Sequence, residues 1–332
     1  MIITKFESVK KIYNDCAKKG WVIPCLCSEN QTTTEAILEA CSEYGKKIGQ
    51  RVPIQIAITV NYSHRQQAVN YSNANDWKTG LQLFKDDIKA LADTGCKYED
   101  VDVLLHLDHV QFDDDIELIN SDLSDYSSIM YDASALPFEE NIQKTREFVQ
   151  RMKGKIFIEG ACDEIVDATG TQHNELTTPE KAKLYMQETG VDVIVANLGT
   201  EHRATGKELK YYGNVAREIK KEIGTNIVLH GTSSVTNDQV RELFNDGVCK
   251  VNIWTALERD SAKVLFYDMV KNASNVAGPE TIDKLISEGY LTEKCRTNEK
   301  INLAYFTQYY RNKIIFDEIK KMVTTYLEMW YI

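Results

Sequence analysis

The sequence predicts an α/β protein, a (β/α)8 TIM barrel with additional C-terminal helices. Three observations predict it. Eight short runs of apolar, largely branched residues alternate with longer amphipathic stretches. The 332 residues accommodate eight such units as one domain over 1–332, with 272–332 a helical C-terminal extension. Polar residues able to carry chemistry recur at the carboxyl ends of the apolar runs, where a closed barrel gathers them on one face. A doubly wound open sheet is the runner-up, reached if one strand is missing or mistaken.

In chain order the strands are expected at Trp21 to Leu26, Ile54 to Val60, Val103 to Leu107, Ser127 to Tyr131, Ile156 to Glu159, Val193 to Asn197, Asn226 to Leu229 and Cys249 to Asn252. Between them run helical patterns such as Thr33 to Lys47, Trp77 to Thr94, Glu139 to Met152 and Pro179 to Thr189. Thr178-Pro179-Glu180 supplies an N-cap, a first-turn proline and an acid at the start of the last of these, and Gly190 closes it. The tail, with Tyr305, Phe306, Tyr309, Tyr310, Phe316, Tyr326, Trp330 and Tyr331, reads as a mixture of packed core and subunit contact.

At 43% hydrophobic and 27% charged the chain can bury a substantial core. A net charge of −11 argues against nucleic acid or an anionic membrane as the main partner, and an anionic metabolite needs local positive groups. Eight scattered cysteines read as buried thiols in a reducing compartment. Cys25 and Cys27 lack a second pair and are not read as zinc ligands. Without an apolar opening segment or a run of spanning length, a soluble cytoplasmic protein is expected.

VDVLLHLDHV, residues 101–110, delivers Asp108 and His109 together where its strand is expected to end. An acid beside an imidazole suits a metal site with a proton-transfer group next to the ion; the alternative is a surface helix cap with a polar neighbour. Glu159 ends the fifth strand, Gly199-Thr200-Glu201-His202 follows the sixth, His230 ends the seventh and Asn252 the eighth. His109, His202 and His230 therefore converge on one mouth, and three imidazoles with an open position suit a catalytic zinc site. His106 shares a face of the pleat with Asp108 and reads as core or as support for the ligands, whereas His64 and His173 read as solvated. His230-Gly231-Thr232-Ser233-Ser234 and Asn252-Ile253-Trp254-Thr255 offer loop amides for a phosphate, the plainer reading being helix caps.

These residues resemble the class II, zinc-dependent fructose-bisphosphate and tagatose-bisphosphate aldolase family over nearly the whole chain. The resemblance rests on HLDH at 106–109, SSIMYDASALPFEENIQKT at 127–145, TTPEKAKLYMQETGVDVIVANLGTEH at 177–202, HGTSSV from His230 and KVNIWT from Lys250. It implies one Zn2+ per subunit on His109, His202 and His230, with Asp108 exchanging a proton at the substrate hydroxyl. It also implies a dihydroxyacetone-phosphate-type donor held by Gly231, Thr232, Ser233 and Asn252 through Thr255, and it admits a monovalent cation near that phosphate. A phosphorylated sugar substrate and a homodimer or homotetramer follow from the same resemblance.

The chain departs from the family pattern around the substrate. Arg203 stands where the family has glycine, able to grip phosphate or block the usual pose, and Trp254 stands where the family has aspartate. Ala161 replaces a glutamate that is an additional metal ligand in some members. The acid that removes the donor proton has three candidates, Glu164, Asp167 and Glu175, and Arg296 and Arg311 are candidates for a second phosphate or plain surface charges. The expected activity is an aldol reaction of a phosphorylated ketose with an acceptor other than glyceraldehyde 3-phosphate. The alternatives are a non-catalytic partner subunit and a sugar-phosphate isomerase or epimerase.

Overall fold

The computed structural model describes residues 1–63, 65–165, 175–201, 210–231, 235, 237–297 and 300–331. Its strands are β1 (Ile23–Cys27), β2 (Pro53–Thr59), β3 (Asp102–Gln111), β4 (Ser128–Asp132), β5 (Phe157–Ala161), β6 (Val193–Val195), β7 (Ile227–Leu229) and β8 (Val248–Ile253). Each pairs in parallel with the next, and β8 returns to β1, closing an eight-stranded barrel. The strands are buried on both faces because helices cover the outside and side chains fill the inside, which is why their sequences are continuous apolar runs.

The expected helices form with small shifts at their ends, as Gln31–Ile48, Trp77–Ala92, Phe138–Met152 and Pro179–Thr189. The Thr178 side chain accepts from the Lys181 amide, and Gly190 ends that helix in the left-handed region at φ 74°. The largest shortening is in β6, two residues shorter than expected. β6 stops at Val195 because Asn197 turns to the preceding loop: its amide donates to Thr177 Oγ1 at 2.8 Å and its carbonyl accepts from the Thr177 amide at 3.0 Å.

The amino-terminal helix Phe6–Lys19 packs against β5 and β8, with Tyr13 stacked on Phe157 at 4.3 Å and reaching Gln55 inside the barrel at 3.3 Å. The carboxyl-terminal helix Gln308–Trp330 lies along Gln31–Ile48. Its end is core: Trp330 donates to the Val240 carbonyl at 2.8 Å and Tyr331 to that of Pro53 at 2.5 Å. Tyr309, at the other end, is 77% exposed, so the aromatic tail divides between core and surface. No described helix is long and apolar enough to cross a membrane.

Candidate active site

Strand β3 does not end at Asp108. It runs on to Gln111 through an irregularity in which Asp108 and His109 together face one residue of β4, between the pairs Leu107–Ile129 and Val110–Tyr131. His109 adopts φ 48°, a conformation rare for a residue with a side chain. Period-two alternation puts His106 and Asp108 inside the barrel and would send His109 outward; the bulge brings it to the same mouth. Both are buried, Asp108 completely, which removes the reading of a surface cap.

His109 meets His230, which follows β7, with Nε2 and Nδ1 3.2 Å apart. The Asp108 carboxylate and the two imidazoles bring one ligand atom each within 4.8 Å of one another, the one such group found among the described residues. His109 Nδ1 lies 2.8 Å from Asp132 of β4, and His230 Nε2 lies 3.2 Å from Glu159 of β5. Ionised carboxylates only accept, so both imidazoles donate their far N–H and turn lone pairs toward each other. Two facing lone pairs call for a positive centre, so this donor set fits a divalent cation. Tyr62 stacks on the His109 ring at 4.3 Å and fixes its plane. Burial lowers the His230 pKa, which keeps its imidazole neutral as metal ligation needs.

Burial would raise the Asp108 carboxyl, but the His109 imidazole beside it and the charge of Arg65 hold it well below the usual range. Arg65 reaches it at 2.6 Å from the β2–β3 loop, and the Asn252 amide donates to its other oxygen at 2.9 Å. Arg65 itself lies over the Trp254 ring, 5.0 Å from its centre, and Trp254 Nε1 donates to Glu29 at 2.5 Å.

Below this layer the barrel interior is polar. Lys250 of β8, fully buried, is 2.5 Å from Glu159 and 3.1 Å from His106 Nε2. An ammonium only donates, so His106 accepts there and presents its Nδ1–H to Ser128 at 2.8 Å. Burial and then Lys250 lower the His106 pKa, keeping that ring neutral. Glu159, which burial would raise, is held at about 2 chiefly by Lys250 and the His230 hydrogen bond. His106 thus supports the site without facing the histidine pair.

Of the residues singled out in the sequence, the structure brings Asp108, His109 and His230 together. Gly231 follows in the left-handed region at φ 69°, Asn252 is engaged by Asp108, Trp254 by Glu29, and Thr255 begins the helix Thr255–Lys271. His202, Arg203, Thr232 and Ser233 lie outside the described residues, as do His64, Asp167 and His173. Asn197 Nδ2 is 3.4 Å from the backbone carbonyls of Glu164 and Glu175. Arg296 is ion-paired with Asp283 and Glu293 on the surface, and half-buried Arg311 donates to the Phe306 carbonyl. Cys25 and Cys27 face the interior with Ala57 and Trp254, and burial pushes the Cys27 thiol up to about 12.

Sequence reasoning assigned no role to Asp132, Lys250, Arg65 or Glu29. A lysine inside the apolar run of β8 was a usable signal, since an unpaired charge is rarely buried there. Arg65 and Glu29 sit in polar loops and gave none.

The profile of the family described as "Fructose-bisphosphate aldolase class-II" matches residues 7–323. Among solved structures, the fructose-bisphosphate aldolase of Campylobacter jejuni is similar with a TM-score of 0.73 at 20% identity, over 99% of this chain and 95% of that one. The YdjI aldolase of Escherichia coli K12 is similar with a TM-score of 0.68 at 18% identity, over 99% of this chain and 97% of that one.

Proposed function

This chain belongs to the class-II fructose-bisphosphate aldolase family and is a lyase of the aldolase type; from that premise we propose that it makes or cleaves a C–C bond of a phosphorylated ketose. The donor in this reading is of the dihydroxyacetone-phosphate type, and the acceptor is an aldehyde other than glyceraldehyde 3-phosphate. The observation that carries it is the pair of imidazoles, each oriented by its own carboxylate, beside a buried Asp108.

His109 and His230, with His202 as third ligand, would hold one zinc ion. A bound zinc supplies Lewis-acid polarisation of the donor's ketone. Asp132 and Glu159 fix the tautomer and orientation of the two described imidazoles. Asp108 handles the proton: in cleavage its carboxylate takes the proton from the substrate hydroxyl as the C–C bond breaks. In synthesis the resulting carboxyl returns it to the aldehyde oxygen as that bond forms. Arg65 and Asn252 keep the carboxylate ionised and aimed. Gly231, Thr232, Ser233, Arg203 and the segment Asn252 to Thr255 would hold the donor phosphate at the mouth, fixing its orientation and so removing part of the entropic barrier. The exchange of the family's aspartate for Trp254, engaged with Glu29 and Arg65, supports an acceptor of different chemistry.

The test is elemental analysis together with aldol and retro-aldol assays using dihydroxyacetone phosphate and a panel of aldehydes. About one zinc per chain is expected, with activity falling ~10²–10⁴-fold in Asp108→Ala. Full activity in that variant removes Asp108 from its role. Solvent proton exchange into the donor without aldol product from any aldehyde favours an isomerase instead.

Two further parts of the reading concern the whole protein. A homodimer or homotetramer is supported by Phe266 and Tyr267, 72% and 71% exposed, and by Tyr309, and sedimentation reads it directly. A cytoplasmic location is supported by eight cysteines that are all free thiols.

A further inference from the structure

Asp108 belongs to two neighbourhoods. One carboxylate oxygen joins the histidine group, and the ion pair with Arg65 opens on a separate cavity of about 270 Å3. Glu29, Arg65, Gln66, Gln67, Asn70 and Trp254 line it. If Asp108 exchanges its proton with the aldehyde oxygen, the acceptor's carbonyl carbon lies within reach of that carboxylate. The rest of the acceptor chain then extends away from the histidines, and this cavity adjoins Asp108 through Arg65.

The lining has a definite charge pattern. Arg65 is the cation among its described residues, and Asp108 at 2.6 Å already compensates it. Glu29 adds a negative charge, held in place by Trp254 Nε1 at 2.5 Å and Gln67 Nε2 at 2.8 Å. Half-buried Glu258 stands near Glu29, with a buried Oε1 that has no hydrogen-bond partner, and burial and then the Glu29 charge raise its carboxyl to about 7. A terminal phosphate on the acceptor would bring further negative charge against Glu29, with no uncompensated cation among the described lining residues to receive it. Hydroxyl groups meet what they need. Arg65 Nε is a buried donor without a partner, Glu29 is an acceptor, and the amides of Gln66 and Asn70 offer both functions.

We propose that this cavity is the acceptor subsite, that it selects a neutral polyhydroxylated aldehyde over a phosphorylated one, and that Glu29 and Arg65 set the choice. The proposal rests on the aldol reading above and specifies its second substrate.

The test uses the zinc-loaded full chain with dihydroxyacetone phosphate, comparing glyceraldehyde, erythrose and threose with glyceraldehyde 3-phosphate. The neutral aldehydes are expected to show kcat/KM at least ~10-fold higher. Glu29→Gln, an isosteric change on a partly exposed side chain, is expected to narrow that preference ~10-fold and to raise the neutral acceptor's KM more than the donor's KM. Product formed preferentially from glyceraldehyde 3-phosphate overturns the subsite proposal and the choice of acceptor above, while leaving the aldol chemistry and its donor intact. An unchanged preference in Glu29→Gln overturns the subsite proposal alone. Proton exchange into the donor without product from any aldehyde overturns both the subsite proposal and the aldol chemistry.

Discussion

Single side chains at the mouth of the barrel carry unusually concentrated electrostatics. Lys250 and Glu159 are both buried, and each compensates the other within 2.5 Å. Replacing Lys250 by Met strands the carboxylate, which costs on the order of 3–5 kcal/mol and lowers the melting temperature. Adding Glu159→Gln to that variant is expected to recover part of the loss, and a purely steric effect of the methionine would show no recovery. Asp132 and Glu159 are each held at about 2. Carboxyls so lowered contribute stability that is complete above their ordinary values near 4 and is lost as the pH falls toward 2. His106 and His230 are lowered as well, so the unfolded chain binds protons first as the pH drops below about 6.5. Unfolding free energy from urea melts is therefore expected to fall steadily below that pH. In Glu159→Gln the loss between about pH 4 and 2 is expected to be shallower, and parallel acid limbs would contradict the assignment.

At the scale of elements, short irregularities do more than long regular stretches. The bulge in β3 places adjacent residues of one strand at the same mouth, which regular pleating forbids. Gly231 is a second such point. At φ 69°, an added Cβ would fall 2.9–3.0 Å from the backbone of Glu201, which cannot swing aside. Gly231→Ala is expected to cost about 1–3 kcal/mol and to depress activity through the loop after β7; wild-type melting and kinetics would show that the loop yields freely. The last helix has the opposite character, acting by burial alone. Trp330 is 2% exposed and its indole nitrogen donates to Val240. Trp330→Ala is expected to cost roughly 3–5 kcal/mol in thermal or urea unfolding, with kcat of the surviving folded fraction retained. The strand and helix positions themselves were legible, since burial on both faces makes each strand an apolar run and each helix carries an amphipathic period. The bulge was not, because HLDHV has the same residue types as a strand that simply ends.

Across the whole molecule, closure of the sheet brings groups from β3, β4, β5, β7 and β8 to one end, so metal affinity and global stability are coupled. Removing the metal with a chelator is expected to abolish activity and lower the melting temperature, and added zinc restores both. At one hundred times the dissociation constant the ligand contributes about 2.7 kcal/mol. An unchanged melting temperature across chelation and readdition would dissociate the histidine pair from metal binding. The sequence by itself determined the alternation that forms a (β/α)8 barrel and the family, because apolar periodicity and ordered motifs are local properties of the chain. It also marked Asp108, His109 and His230 as candidates, since the barrel rule gathers strand ends on one face. Only the tertiary structure decided which carboxylate orients which imidazole, that Lys250 neutralises Glu159, and that Arg65 and Glu29 frame a cavity beside Asp108. Those pairings join residues tens to hundreds of positions apart, and their energies depend on distance and burial, which residue order alone does not encode.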